Sequence, residues 1–247
     1  MSTPLHSRIA ALVPSISGWC SVEKANDLAL AVIKLRSSVT VEIGVFGGRS
    51  LLPMALAHAE QDHGVVWAID PWQAAASVEG YDPVNAEWWS RVNHEALYQQ
   101  FLGHLKAHGV EKFVKIVREK SDNVTPPEVI DVLHLDGQHT DQTVRDVERF
   151  ASRVRPDGFV FVDDIHWSGG GVERGVARLL TMGFTQIFVR DTGAMFQRAA
   201  APREPSVTIK RLAKRLLKNK GAIETLSEEI RKPKKRGRPP GSKNKRK

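Results

Sequence analysis

The chain has 247 residues, of which 41% are hydrophobic, enough for one sizeable core and too many for wholesale disorder. The single Cys20 excludes a disulfide framework and a cysteine-built zinc site. No apolar run approaches the roughly 18 residues of a membrane span, and without a basic-then-apolar leader pattern a cytoplasmic chain is expected. The formal charge of +8 is unevenly spread: residues 231–247 hold ten Lys and Arg and no acid, and residues 201–230 hold seven bases against four acids, which leaves residues 1–200 acidic at −5. The basic balance therefore describes a tail and says little about what the first 200 residues bind.

In chain order, Ser21 is placed to cap a helix running to Leu35, with Ala25, Leu28, Ala29, Val32 and Ile33 on its apolar face. Short β-branched runs follow at Val39–Val45, Val65–Ile69, Phe113–Val117, Val129–Leu135, Phe159–Val162 and Thr185–Val189, most of them separated by helical stretches. Such alternation reads as βαβ units around a buried parallel sheet. Gly193-Ala194 before Met195-Phe196 reads as a turn into an antiparallel last strand, the seventh. Residues 73–110 interrupt the pattern with Tyr81, Trp88, Trp89, Tyr98 and Phe101; the segment is either a lid or an ordinary covering helix. The division expected is a domain over 1–200, a basic amphipathic extension over 201–230 and a tail over 231–247. Within the extension, Val207, Ile209, Leu212, Leu216 and Leu217 interleave with Lys210, Arg211, Lys214, Arg215 and Lys218. Docking on the domain is the expectation for this stretch, with pairing to a second copy in a homo-oligomer or a polyanion surface as alternatives. The tail should be disordered when free.

Three motifs carry chemistry. Glu42-Ile43-Gly44-Val45-Phe46-Gly47-Gly48-Arg49-Ser50 follows a strand and opens a helix; glycines there let backbone approach a ligand, and a helix start presents free N–H groups. It is neither a dinucleotide fingerprint nor a phosphate loop. Asp70 ends the next strand, where an acid can accept hydrogen bonds from ribose hydroxyls. Asp136-Gly137-Gln138-His139 and Asp163-Asp164-Ile165-His166 each follow a strand, so their acids should meet at the carboxyl edge of the sheet. Three converging carboxylates either shift their pKa values or bind a cation, and oxygen ligands favour Mg²⁺, Mn²⁺ or Ca²⁺.

Taken in order, Gly18-Trp19, the Glu42–Ser50 loop, Ile69-Asp70-Pro71-Trp72, Asp136-Gly137-Gln138-His139, Asp146, Pro156-Asp157-Gly158 and Asp163-Asp164 resemble the class I S-adenosylmethionine-dependent methyltransferases. The subgroup is the one with an Asp-Gly-x-His signature and a metal-binding carboxyl edge. The resemblance spans roughly residues 18–199 and departs where the usual Pro-Gly-Gly reads Pro156-Asp157-Gly158. It implies a Rossmann-like, doubly wound sheet of seven strands. It also implies S-adenosylmethionine held by Glu42, Gly44, Gly47, Gly48, Ser50, Asp70, Ser121 and Asp136, and a divalent cation, Mg²⁺ foremost, on Asp136, Asp163 and Asp164. His166 matches the spacing of a general base in sugar O-methyltransferases, and His139 is its rival. The activity implied is metal-assisted O-methylation of a small-molecule or sugar hydroxyl. Base methylation is disfavoured, because the only double prolines are misplaced and Cys20 lies outside a Pro-Cys motif. A DNA-tethered binding or scaffolding module on the same fold and a related metal-binding, hydroxylase-like enzyme are the alternatives.

The tail resembles an AT-hook, with Arg236, Gly237, Arg238 and Pro239 as its core. Glycine between arginines lets the strand lie deep in a narrow groove, and A·T-rich minor grooves concentrate the negative potential that attracts arginine. A·T-rich DNA is therefore the expected partner, with sequence-blind polyanion binding as the alternative.

Overall fold

The computed structural model describes residues 3–200. The amphipathic stretch at 207–219 and the AT-hook-like core at 236–239 lie outside the described residues.

Seven strands form one sheet: β1 (Val39–Ile43), β2 (Val65–Ile69), β3 (Val114–Val117), β4 (Ile130–Leu135), β5 (Val154–Val162), β6 (Phe184–Arg190) and β7 (Gly193–Arg198). Their order is β3-β2-β1-β4-β5-β7-β6. The first five run parallel, and β7 inserts antiparallel between β5 and β6. This is the mostly parallel doubly wound sheet with an antiparallel last strand read from the sequence. β5 starts earlier than the apolar run at Phe159. Val154 already pairs with Ile130, and the register slips before Phe159 meets Val132, so Pro156-Asp157-Gly158 sits at an irregularity with Asp157 at φ 64°.

Eight helices flank the sheet among the described residues: α1 (Leu5–Leu12), α2 (Val22–Leu35), α3 (Leu51–Gln61), α4 (Ala74–Val78), α5 (Pro83–Ser90), α6 (His94–Ala107), α7 (Asp141–Phe150) and α8 (Gly171–Thr181). Ser21 caps α2 by accepting from the Lys24 N–H, and the helix ends at Arg36 with φ 46°. Side chains of β5 alternate between two cores. Phe159 and Phe161 pack with α1, α2, α3 and α6, whereas Val160 and Val162 pack with α7 and α8. Burial on both faces is why the strands read as continuous apolar runs.

The 73–110 segment divides in two. α6 is a covering helix that buries Leu97, Phe101 and Leu105, while α5 buries no residue at all. No helix among the described residues is long and apolar enough to cross a membrane.

β1 and β4 are neighbours in space, yet the chain visits β2 and β3 between them. The crevice at such a switch point, beyond the carboxyl ends of the strands, is where doubly wound sheets bind ligands.

Candidate active site

Pairing continues one residue past the strand ends. Gly44 N–H donates to Ile69 O at 3.0 Å, Asp136 N–H to Ile43 O at 2.9 Å and Asp163 N–H to Leu135 O at 2.9 Å. All three motifs therefore begin at the same level of the same edge. They surround a cavity of about 560 Å³, within the usual range for a small-molecule site.

One end of the cavity is built by the loop after β1. A Cβ on Gly44 would lie 2.1 Å from the Asp136 carbonyl oxygen, and one on Gly47 would lie 2.5 Å from the Ser17 carbonyl oxygen. These glycines are demanded by close backbone approach within the protein itself. Asp70 pins the loop from beneath. Its Oδ2 accepts from Val45 N–H at 2.9 Å and Phe46 N–H at 3.0 Å, and its Oδ1 accepts from Trp72 N–H at 2.7 Å. Burial raises the Asp70 pKa, and the three N–H donors oppose that rise. Gly44, Ser50, Asp70, Ser121 and Asp136 line the cavity. Glu42, Gly47 and Gly48 do not. Glu42 is fully buried behind the loop, where it accepts from the Ser50 hydroxyl. Gly47 faces Ser17, and Gly48 packs beneath Phe101 and Leu52.

Behind the acids lies a buried charge network that the sequence reading missed. Glu42 and His134 are register partners on β1 and β4, and Asp163 continues the Phe161 face of β5. The His134 ring sits between the two acids, 3.3 Å from Glu42 and 3.6 Å from Asp163. These contacts are electrostatic rather than aligned hydrogen bonds. From α2, Lys24 is 1% exposed and its Nζ donates to Asp163 Oδ2 and, at 3.2 Å, to the Trp19 carbonyl. Burial alone would lower the Lys24 pKa, but Asp136 and Asp163 hold it raised. Burial would likewise lower that of His134, and Asp163 and Glu42 lift it to about 9. Asp163 is driven low by these two cations despite its burial. Asp136 goes the other way, raised by burial and then by the charge of Asp163. A helix pattern marks Lys24 only as a polar position; its destination appears once α2 lies on the sheet.

The remaining acid, Asp164, turns the chain at φ 49°, and Trp167 N–H closes the turn on Asp164 O at 2.9 Å. The turn sends His166 outward, where it is exposed and off the cavity wall. It brings Trp167 back onto His139, the rings stacked at 4.6 Å. His139 lines the cavity with Nε2 at 3.1 Å from Asp164 Oδ2. Of the three acids expected to meet, Asp136 and Asp164 close with His139 into one group whose donor atoms lie within 4.8 Å of one another, while Asp136 and Asp163 group with His134.

Ser121 meets Gln142 Nε2 at 3.1 Å, and Gln142 also reaches Asp146, whose carboxyl burial raises to about 6. Beside the loop the cavity wall is aromatic. Trp19, Phe46, Trp88 and Trp89 contact one another there, with Trp19 67% and Trp88 46% exposed.

A family profile described as a methyltransferase domain matches residues 41–165, from β1 through the Asp163-Asp164 pair. No curated protein sequence matches the chain. Among solved structures, the O-methyltransferase TomG from Streptomyces achromogenes, involved in tomaymycin synthesis and solved with SAM, is 18% identical with a TM-score of 0.54, covering 81% of this chain and 92% of that one. The O-methyltransferase NovP is 17% identical with a TM-score of 0.59, covering 72% and 81%. An SAH-bound methyltransferase of Podospora anserina is 12% identical with a TM-score of 0.57, covering 81% and 89%. At these identities the likeness to the solved structures is one of fold.

Removing one partner of a buried ion pair strands the other, at a cost of about 3–5 kcal/mol. Lys24→Met should lower unfolding stability in urea by that amount, and Lys24→Met with Asp163→Asn should recover most of it. A single variant as stable as the parent would show that the pair carries no such weight.

Proposed function

The chain belongs to the methyltransferase-domain family, and on that premise we propose that it transfers the methyl group of S-adenosylmethionine to a hydroxyl oxygen of a small molecule or sugar. The observation that carries this reading is the single cavity joining the Gly44–Ser50 loop and Asp70 at one end to Asp136, His139 and Asp164 at the other. S-Adenosylmethionine would supply an electrophilic methyl on a sulfonium sulfur. The loop backbone and Ser50 would hold its amino-acid part, Asp70 Oδ1 its ribose, and Ser121 with its neighbours its adenine. Because Asp70 also pins Val45 and Phe46, it serves the cofactor twice, as a ligand and as the clamp on the loop.

His139 is the proton acceptor in this reading, since it faces the cavity and His166 does not. The bound group would supply the methyl carbon to the acceptor oxygen and keep the carbon–sulfur electron pair on sulfur, and the hydroxyl proton would pass to the His139 imidazole. Asp164 beside Nε2 stabilises the resulting imidazolium. A divalent ion would fit the acids in part: Asp136 and Asp164 close with His139 within 4.8 Å, Asp163 is already compensated by Lys24 and His134, and Asp136, raised by burial and then by the charge of Asp163, is the carboxyl a cation would relieve. An ion held there would lower the pKa of the acceptor hydroxyl.

The tail is read from its sequence alone. Arg236-Gly237-Arg238-Pro239 would tether the enzyme to A·T-rich DNA without providing its substrate.

Asp70→Ala should weaken S-adenosylmethionine binding by about 1.5–3 kcal/mol in a calorimetric titration; equal affinity would remove Asp70 from the cofactor site. With an acceptor found by screening hydroxylated compounds, His139→Ala should cost roughly 10²–10⁴ in rate and His166→Ala nothing. Chelation should stop transfer, Mg²⁺ should restore it, and cofactor affinity should stay constant throughout; undiminished transfer after chelation would refute the ion. For the tail, the full-length chain should prefer A·T over G·C duplexes at physiological salt and Arg238→Ala should lose that preference. Equal binding of both duplexes by the parent would leave only a polycationic tail.

A further inference from the structure

Indole rings left in water at the wall of a cavity need a reason, and Trp19 and Trp88 are both exposed and both line it. We propose that these two rings select the methyl acceptor, and that the acceptor is a molecule with an aromatic or otherwise flat apolar face and no anionic group. The inference rests on the reading of this cavity as a methyl-transfer site and deepens it by naming the class of acceptor.

The rings form one surface. Trp19 and Trp88 lie 5.5 Å apart between centroids, Trp19 rests on Phe46 at 5.1 Å, and Trp88 stands edge-on to Trp89 at 4.9 Å. Such spacings are those of rings in contact, so no group fits between them, and the cluster is a platform rather than a cage for a cation. Val84, one turn before Trp88 on the same side of α5, is exposed as well. Contiguous exposed apolar surface that runs into a cavity marks a place where a ligand rests, and a flat apolar face is what stacks on indole.

Backbone contacts tie this platform to the acids. Lys24 Nζ donates both to the Trp19 carbonyl, at 3.2 Å, and to Asp163 Oδ2. The segment that carries the Trp19 ring is thus fixed to the ammonium that anchors the carboxyl edge, which sets the platform beside the atoms that would meet the acceptor hydroxyl. Charge narrows the class further. Asp136, Asp163 and Asp164 line the cavity, and the Lys and Arg side chains that line it among the described residues are Arg49 and Lys120. Both are engaged: Arg49 donates to three backbone carbonyls, and Lys120 pairs with Glu79. A carboxylate or phosphate on the acceptor would therefore meet like charge without a compensating partner.

The test uses the full-length chain saturated with S-adenosylhomocysteine, the product left after methyl loss, in buffer without divalent ions. Equilibrium dialysis compares three probes: β-naphthol, which is flat and uncharged at neutral pH, a hydroxynaphthoate, which adds a carboxylate to the same rings, and methyl β-glucoside, which is uncharged and polar. β-Naphthol should bind roughly tenfold more tightly than either of the others. Trp19→Ala and Trp88→Ala should each weaken it by roughly tenfold, and Trp88→Phe should keep most of the affinity. In Trp88→Ala, the circular dichroism spectrum and the affinity for S-adenosylhomocysteine should match the parent. No binding of β-naphthol, equal binding of the hydroxynaphthoate, or β-naphthol affinity unchanged in both alanine variants would overturn the proposal. Lost S-adenosylhomocysteine affinity in Trp88→Ala would overturn it by assigning the ring to the cofactor. A dimer that Trp88→Ala converts to monomer in sedimentation would overturn it by assigning the exposed rings to a second copy. Failure of the parent to bind S-adenosylmethionine or S-adenosylhomocysteine at all would instead refute the methyl-transfer reading, so the two failures are distinguishable.

Discussion

A lysine ammonium rests in the interior of a fold only where carboxylates compensate the water it has lost, and in this protein that condition ties the helical layer to the chemical edge of the sheet. Lys24 lies one turn into α2 and ends on Asp163, at the carboxyl end of β5. An unpaired buried charge costs several kcal/mol, and the pairing offsets that cost only when geometry and further hydrogen bonds are good. The Trp19 carbonyl supplies one such bond. Asp163 in turn holds Thr192 and the Asp164 backbone through Oδ1. The backbone of Asp164 is thereby tied to a carboxylate that lines the cavity and is anchored from behind by Lys24.

The same network shows which parts of the site could be read from the sequence. Asp70, Asp136 and Asp163 were legible because each stops an apolar run, and an acid at the end of a buried strand has few places to go but the carboxyl edge. His134 was hidden inside such a run. Its significance comes from lying opposite Glu42 in the β1–β4 register, and a register is not visible in one strand. Glu42, Gly47 and Gly48 matched a ligand-binding pattern by position, yet in the structure they face protein. A glycine required by a neighbouring carbonyl and a glycine required by a ligand look alike in a sequence. His166 and His139 were separable only by the direction of the turn at Asp164, where a positive φ reverses the side-chain order that an extended chain would present.

Two walls of the cavity differ in how firmly they are built. The glycine loop is held by two N–H bonds to Asp70, from Val45 and Phe46, by the contacts of Gly44 and Gly47 with neighbouring backbone, and by Arg49, which donates to the carbonyls of Ile16, Gly18 and Cys20. Backbone clamped this way has little conformational freedom left to lose. By contrast α5 buries no residue, and its Trp88 and Trp89 lean on Trp19 and on Phe46 of that same loop. Segments with few buried contacts open at low free energy. The cavity thus joins a firmly clamped loop to a helix that rests on it through exposed rings.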